Sequence, residues 1–274
     1  VQAQGVALRL NAEVQGLSQD AAGVQLQLED GTQLHGEVLV GADGLWSRVR
    51  QAVLGDGPPI ATGHLAYRAL TRQDDLPVAL RAQDITVWLG PKLHVVQYPV
   101  CAGQSLNVAA IVHGRMDGDL QSWDHSANAA ELQAAMAQTC TPLQDLIAAL
   151  PHWRLWPLCI RPPMAGAHEF GRGRVALLGD AAHPMLPYLA QGAGMAIEDA
   201  AVLAQTLSMY AENEPAALQA YADQRWARNA RVQARAMRNG RLFHATGPLR
   251  WARDAEMKLG GERLLDLPWL YRGA

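Results

Sequence analysis

The chain has 274 residues, 49% of them hydrophobic, enough to bury the core of one domain or two small ones. A formal net charge of −3 gives no electrostatic reason to expect nucleic acid, and no apolar run approaches the length of a membrane span. Three cysteines, Cys101, Cys140 and Cys159, are odd in number and widely spaced, which argues for reduced thiols in a cytoplasmic protein and against a disulfide frame or a zinc site; no metal is expected.

The opening VQAQGVALRL lacks the basic and apolar regions of a secretion signal, and Val1 is not an initiator residue, so the chain reads as a fragment. Val24, Leu26 and Leu28 alternate with Gln25, Gln27 and Glu29, the period of a half-buried strand. Asp30-Gly31 predicts a hairpin turn, after which Leu34 resumes the alternation. A short strand over 37–40 runs into Gly41-Ala42-Asp43-Gly44, and a helix is predicted over 45–54. This first motif combines a strand end, a glycine turn, a carboxylate and a helix start, with Ser47 in the first turns and Arg48 and Arg50 as cations.

The Gly55-Asp56-Gly57-Pro58-Pro59 cluster marks a crossing into a separate layer. Strands are predicted over 64–70, 85–89, 93–100 and 105–113. In the third, His94 and Tyr98 are four apart and share one face. Helices follow over 129–138 and 142–150, with Leu132, Met136, Leu143, Leu146 and Ile147 on buried faces. Asp124 and His125, just before them, read as a solvated turn. A strand over 155–161 returns the chain and ends at Pro162-Pro163. Arg161 is equally suited to a substrate carboxylate or a structural ion pair, and Arg68 is a weaker candidate for the carboxylate.

The second motif is RVALLGDAAHPMLPYLAQGAGMAIEDA. Residues 175–178 read as a buried parallel strand. Gly179-Asp180 stands at its carboxyl end, where α/β sheets place ligands, and Asp180 offers two acceptor oxygens. Prolines 184 and 187 turn the chain. Gln191-Gly192-Ala193-Gly194 then leads into a helix predicted to begin near Met195, whose N–H groups and dipole favour negative charge. Hydroxyls at one end and negative charge at the other are the demands of a reduced flavin with its ribityl chain. Beyond residue 198 the chain is mostly helical. Arg225, Arg228, Arg231, Arg235 and Arg238 recur at three- and four-residue intervals and read as a solvated helix face.

GDAAHP followed by LAQGAGMAIEDA resembles the ribityl-binding motif of class A flavoprotein monooxygenases, most closely the salicylate hydroxylase branch. GADGLWSRVR resembles that family's second flavin motif, linked to the pyrophosphate side and to nicotinamide cofactor use. LPWLY at 267–271 resembles the branch's closing segment. The resemblance implies an α/β fold, α+β in the substrate layer. It places part of a Rossmann-like FAD-binding domain over 1–54, a β-sheet substrate domain over 55–165, a return to the FAD-binding domain over 166–207, and C-terminal helices over 208–274. The family's N-terminal G-x-G-x-x-G unit is absent from this sequence.

By the same resemblance the cofactor is FAD and the co-substrate is NADH or NADPH. The reaction is hydroxylation of a small hydroxylated aromatic, such as an aromatic acid, by oxygen through a flavin hydroperoxide. Asp43, Gly44, Arg50, Gly179, Asp180, Pro184, Gly192, Ala193 and Gly194 would bind the cofactor. His94, Tyr98 and Gln191 would face the substrate, His94 accepting or relaying its phenolic proton. No membrane or nucleic-acid partner is implied; a homodimer is open. Two alternatives stay open: a non-catalytic remnant that binds a ligand or partner, and a flavin-dependent reductase or epoxidase.

Overall fold

The computed structural model describes residues 2–116, 118–121, 125–126, 129–265 and 267–271. Val1 and Asp124 lie outside them. Strands β1 (Val14–Gln19), β2 (Val24–Leu28) and β3 (Gln33–Gly36) form an antiparallel sheet in that order. The turn between the last two closes where the Gly31 amide donates to the Leu28 carbonyl at 3.0 Å, with Gly31 at φ 83°. Strand β4 (Leu39–Gly41) leads to helix α1 (Arg48–Leu54). The helix begins three residues later than predicted because Ser47 caps it, its hydroxyl accepting from the Arg50 amide at 2.8 Å.

The chain then builds a six-stranded sheet. Its strands are β5 (Ile60–Arg72), β6 (Thr86–Gly90), β7 (Leu93–Val100), β8 (Ser105–His113), β9 (His125–Ser126) and β10 (Arg154–Ile160), in the spatial order β6-β7-β8-β5-β10-β9. Helices α2 (Ala129–Met136) and α3 (Thr141–Ala148) stand between β9 and β10 in the chain. Period-two alternation sorts the faces. Leu65 and Tyr67 of β5, Val95 of β7, and Leu106 and Val108 of β8 pack with Leu132, Met136 and Leu146 of the helices in one core. The register pairs His64 with His113, His94 with Ile111 and Tyr98 with Asn107, so His64, Arg68, His94, Tyr98, Asn107 and His113 stand on the other face.

Strand β11 (Gly171–Arg172) pairs antiparallel with β12 (Val175–Leu177), which runs parallel to β4 with Leu177 opposite Gly41. A Cβ at Gly41 would sit 2.7 Å from Val49 and 3.0 Å from Leu177, so glycine lets α1 and β12 close on each other. Helices α4 (Gly192–Met209), α5 (Glu214–Phe243), α6 (Gly247–Leu265) and α7 (Pro268–Tyr271) complete the chain. Two compact units result, one of residues 1–59 with 160–236, the other of 60–159 with 237–274. The predicted C-terminal helical piece thus divides between them. Among the described residues no helix is long and apolar enough to cross a membrane.

Candidate functional site

Parallel strands β4 and β12 end side by side, and the loops that leave them border a cleft of about 550 Å³ in the first unit. Ala42, Gly44, Gly179, Asp180, Met185, Pro187, Gly192 and Ala193 are among its lining residues. This is the carboxyl edge of a parallel pair, where open α/β sheets hold ligands. Most lining side chains are small, so backbone is exposed to whatever enters. Gly44 takes φ 76° and Gly179 φ 60°, a region costly for side chains with a Cβ.

Helix α4 points its first turn at this cleft. It begins at Gly192, three residues earlier than predicted, so the glycines belong to the helix rather than to the loop before it. The first intrahelical bond runs from the Met195 amide to the Gln191 carbonyl at 2.9 Å. The amides of Gly192, Ala193 and Gly194 therefore precede the ladder, and the first two of these residues line the cleft. Asp180 sits opposite, 3.9 Å from where a Gly192 Cβ would lie. Its carboxyl is held above the usual carboxylate range by the protein atoms that displace water around it, with His183 opposing the shift.

Several predicted site residues have partners within the protein. Asp43 caps α1, its oxygens accepting from the Ser47 hydroxyl at 2.6 Å and from the Arg48 and Val49 amides at 2.8 and 3.1 Å. Arg50 is not an open cation. It is 2% exposed, pairs with Asp56 at 2.7 Å, and donates to the carbonyls of Ala181 and Ala182 at 3.1 and 2.5 Å. Burial demands a partner for each donor, and these are the partners. Pro184 is buried, its carbonyl accepting from Gln233 at 2.9 Å; Pro187 is the proline on the cleft. Gln191 is the N-cap residue of α4 but makes no side-chain capping bond. Arg161 is 4% exposed and bonds Asp56 and the Gly57 carbonyl at 3.0 and 2.8 Å, a structural ion pair.

A buried network missed in the sequence underlies the Gly179–His183 loop. Asp199, in α4 and fully buried, accepts from the Gly179 amide at 3.2 Å, meets His183 Nε2 at 2.5 Å, and accepts from Arg225 and Asn229 at 2.8 Å each. Desolvation pushes the Asp199 carboxyl up, but the His183 and Arg225 interactions outweigh it and hold it below the usual range. Arg225, at 1% exposure, corrects the reading of the arginine stripe as a solvated face, and Arg228 pairs with Glu198 at 2.7 Å. Asp199 lies 26 residues before Arg225, so no short spacing signalled the pair.

The second unit carries His94 and Tyr98. His94 is 2% exposed, and its Nδ1 lies 2.7 Å from His244 Nε2. His244 Nδ1 in turn lies 3.1 Å from Nε2 of exposed His113. His64 stacks on His113 at 4.4 Å. Burial, and then the neighbouring rings, push His94 and His64 down to about 4 and His244 to about 3. Tyr98 is half-buried opposite Asn107, whose Oδ1 accepts from Arg68 at 2.7 Å while its buried Nδ2 has no partner.

Comparison with known proteins follows the same lines. A family model described as an FAD binding domain matches residues 1–236. A 3-hydroxybenzoate 6-hydroxylase of Aquipseudomonas alcaligenes is 35% identical over 268 residues, covering 97% of this chain and 82% of that protein. Among solved structures, a salicylate hydroxylase substrate complex superposes with a TM-score of 0.82 at 27% identity, over 96% of this chain and 68% of that one. Klebsiella pneumoniae HpxO complexed with FAD and uric acid gives 0.80 at 30% identity, over 93% of this chain and 64% of that one.

The cleft suits a flavin on its own terms. Its volume lies within the range of small-molecule sites, more than half of its lining residues are glycine or alanine with Leu178, Met185, Leu186 and Pro187 adding apolar wall, an acceptor carboxyl faces it, and a helix start supplies donors for negative charge. Both sequence motifs contribute to it and both fall inside the matched residues, so the chain belongs to the FAD-dependent class A aromatic monooxygenases.

Proposed function

We propose that the protein hydroxylates a small hydroxylated aromatic acid, with FAD as cofactor and NADH or NADPH as reductant. The observation that carries this reading is the cleft, where Asp180 faces the first turn of α4 across a floor of small residues. FAD bound there would supply activation of oxygen and its transfer to the aromatic ring. The chain's own residues bind and orient. Asp180 accepts from the ribityl hydroxyls. Gly44 and Gly179 leave room for the cofactor to lie against backbone, and the amides of Gly192, Ala193 and Gly194 offset negative charge on the reduced ring system. Gln191 immediately precedes the first turn of α4, Pro184 lies in the loop between Asp180 and that turn, and Asp43 and Arg50 hold the loops that shape the cleft. His94 takes the phenolic proton and Tyr98 hydrogen-bonds the substrate, both from one face of β7.

The test is the visible spectrum of purified protein followed by NADH oxidation with candidate phenols such as 3-hydroxybenzoate. Bound flavin and phenol-stimulated oxidation are the expected results. Protein that stays colourless and takes up no added flavin overturns the reading. Asp180→Ala is expected to weaken flavin retention by roughly tenfold or more, the cost of hydrogen bonds to a charged group. His94→Ala should keep the flavin but slow ring hydroxylation about 100-fold, the usual scale for a lost acid–base group. Unchanged turnover would remove His94 from the mechanism.

A further inference from the structure

We infer that His94, His244 and His113 form a proton relay that carries the substrate's phenolic proton from a buried ring to solvent. The inference rests on the proposed role of His94 and extends it to two residues with no assigned part. Three observations carry it. The rings are joined in series through opposite nitrogens of His244, with His94 Nδ1 to His244 Nε2 at 2.7 Å and His244 Nδ1 to His113 Nε2 at 3.1 Å. Exposure rises along the series, from 2% at His94 and 6% at His244 to an exposed His113. Each ring is packed against another: Phe243 meets His94 edge-on at 5.3 Å, His64 lies 4.7 Å from His244, and His64 stacks on His113 at 4.4 Å.

The protons balance. Start with His94 and His244 each protonated on Nδ1. The phenol O–H bond breaks and its proton joins His94 Nε2. The Nδ1 proton of His94 passes to His244 Nε2, the Nδ1 proton of His244 passes to His113 Nε2, and His113 gives up a proton to water. A reverse passage, when the hydroxylated product regains a proton, restores the starting tautomers. The series removes a difficulty that His94 alone would face. A ring whose cation is strongly disfavoured is a poor resting place for a proton, but a good conductor if one proton leaves as another arrives. The charged groups acting on the cluster, Lys92 on His113 and Arg253 on His244, are cations, so neither ring retains a proton that reaches it. His64, His113 and His244 also bring ligand atoms within 4.8 Å of one another, but these two cations disfavour a metal ion there.

The experiment is stopped-flow measurement of phenol-to-phenolate conversion on the flavin-loaded protein, in dilute buffer and with added imidazole. His113 is exposed, so His113→Ala is the variant least prone to misfold. It should slow conversion tenfold or more in dilute buffer, and imidazole should restore the rate. His244→Phe should slow it equally, without rescue, because its position is closed to solvent. A His113→Ala rate equal to the parent, or a slow rate that imidazole leaves unmoved, overturns the relay. Protein that binds no flavin or no phenol would instead overturn the proposed function, so the two failures are distinguishable.

Discussion

Replacing Asp199 by alanine is expected to destabilise the first unit by about 3–5 kcal/mol, the scale seen when one member of a buried ion pair is removed. The carboxylate is fully buried; its Oδ2 meets the Gly179 amide and His183 Nε2, and its Oδ1 accepts from Arg225 and Asn229. Without it, His183 and Gly179 lose their partner inside the protein. Arg225 keeps its ion pair with Glu198 at 2.8 Å and a bond to Asn229 Oδ1 at 3.2 Å, but loses its buried counter-charge. The cleft suffers with the fold, because Gly179 lines it. Urea unfolding of parent, Asp199→Ala and Asp199→Asn checks this. Asparagine keeps the shape and one acceptor, so its loss should be smaller. Equal midpoints for parent and the alanine variant would mean that the network holds nothing.

The second unit should lose stability as the medium turns mildly acidic. His94 and His244 are held down to about 4 and about 3, below the ordinary value of 6.5, by burial first and then by neighbouring rings, His64 on His94 and His94 on His244. A ring depressed in the folded state is uncharged there while the unfolded chain protonates it. Stability is therefore fully present above about pH 6.5 and falls as pH drops toward the folded values. By pH 5 each of the two buried rings costs about 2 kcal/mol, about 4 together. His64, half-buried, adds less. Denaturation midpoints at pH 7.5, 6 and 5 test the slope, which His244→Phe should flatten. A profile level across that range would show that the rings are not buried as neutral groups. Asp199 adds nothing here, since its carboxyl is depressed and loses its contribution only at lower pH.

What could be read from sequence depended on range. The strand over 105–113 was legible to the residue, because Leu106, Val108, Ala110 and Val112 alternate against the helical layer. The start of α4 was placed late, since glycine is a poor helix former and its tolerance in a first turn left no positive signal. Asp180 and Gly192 were legible as a motif, and the structure places them on one cleft. Arg225 reads as solvated within a stripe of arginines on a chain of negative net charge, whereas its burial depends on Asp199, in a different helix. His244 could not have been read at all. Its partner His94 lies 150 residues earlier, and only the folded second unit brings the two rings together.

Arg50 has a consequence for how such a chain diverges. A side chain from one motif holds the carbonyls of Ala181 and Ala182, more than a hundred positions away in the other. The two loops are thus a single mechanical part made from distant stretches of the gene product. A lineage that rewrites one of them must carry a matching change in the other, and substitutions at the two places should be inherited in pairs.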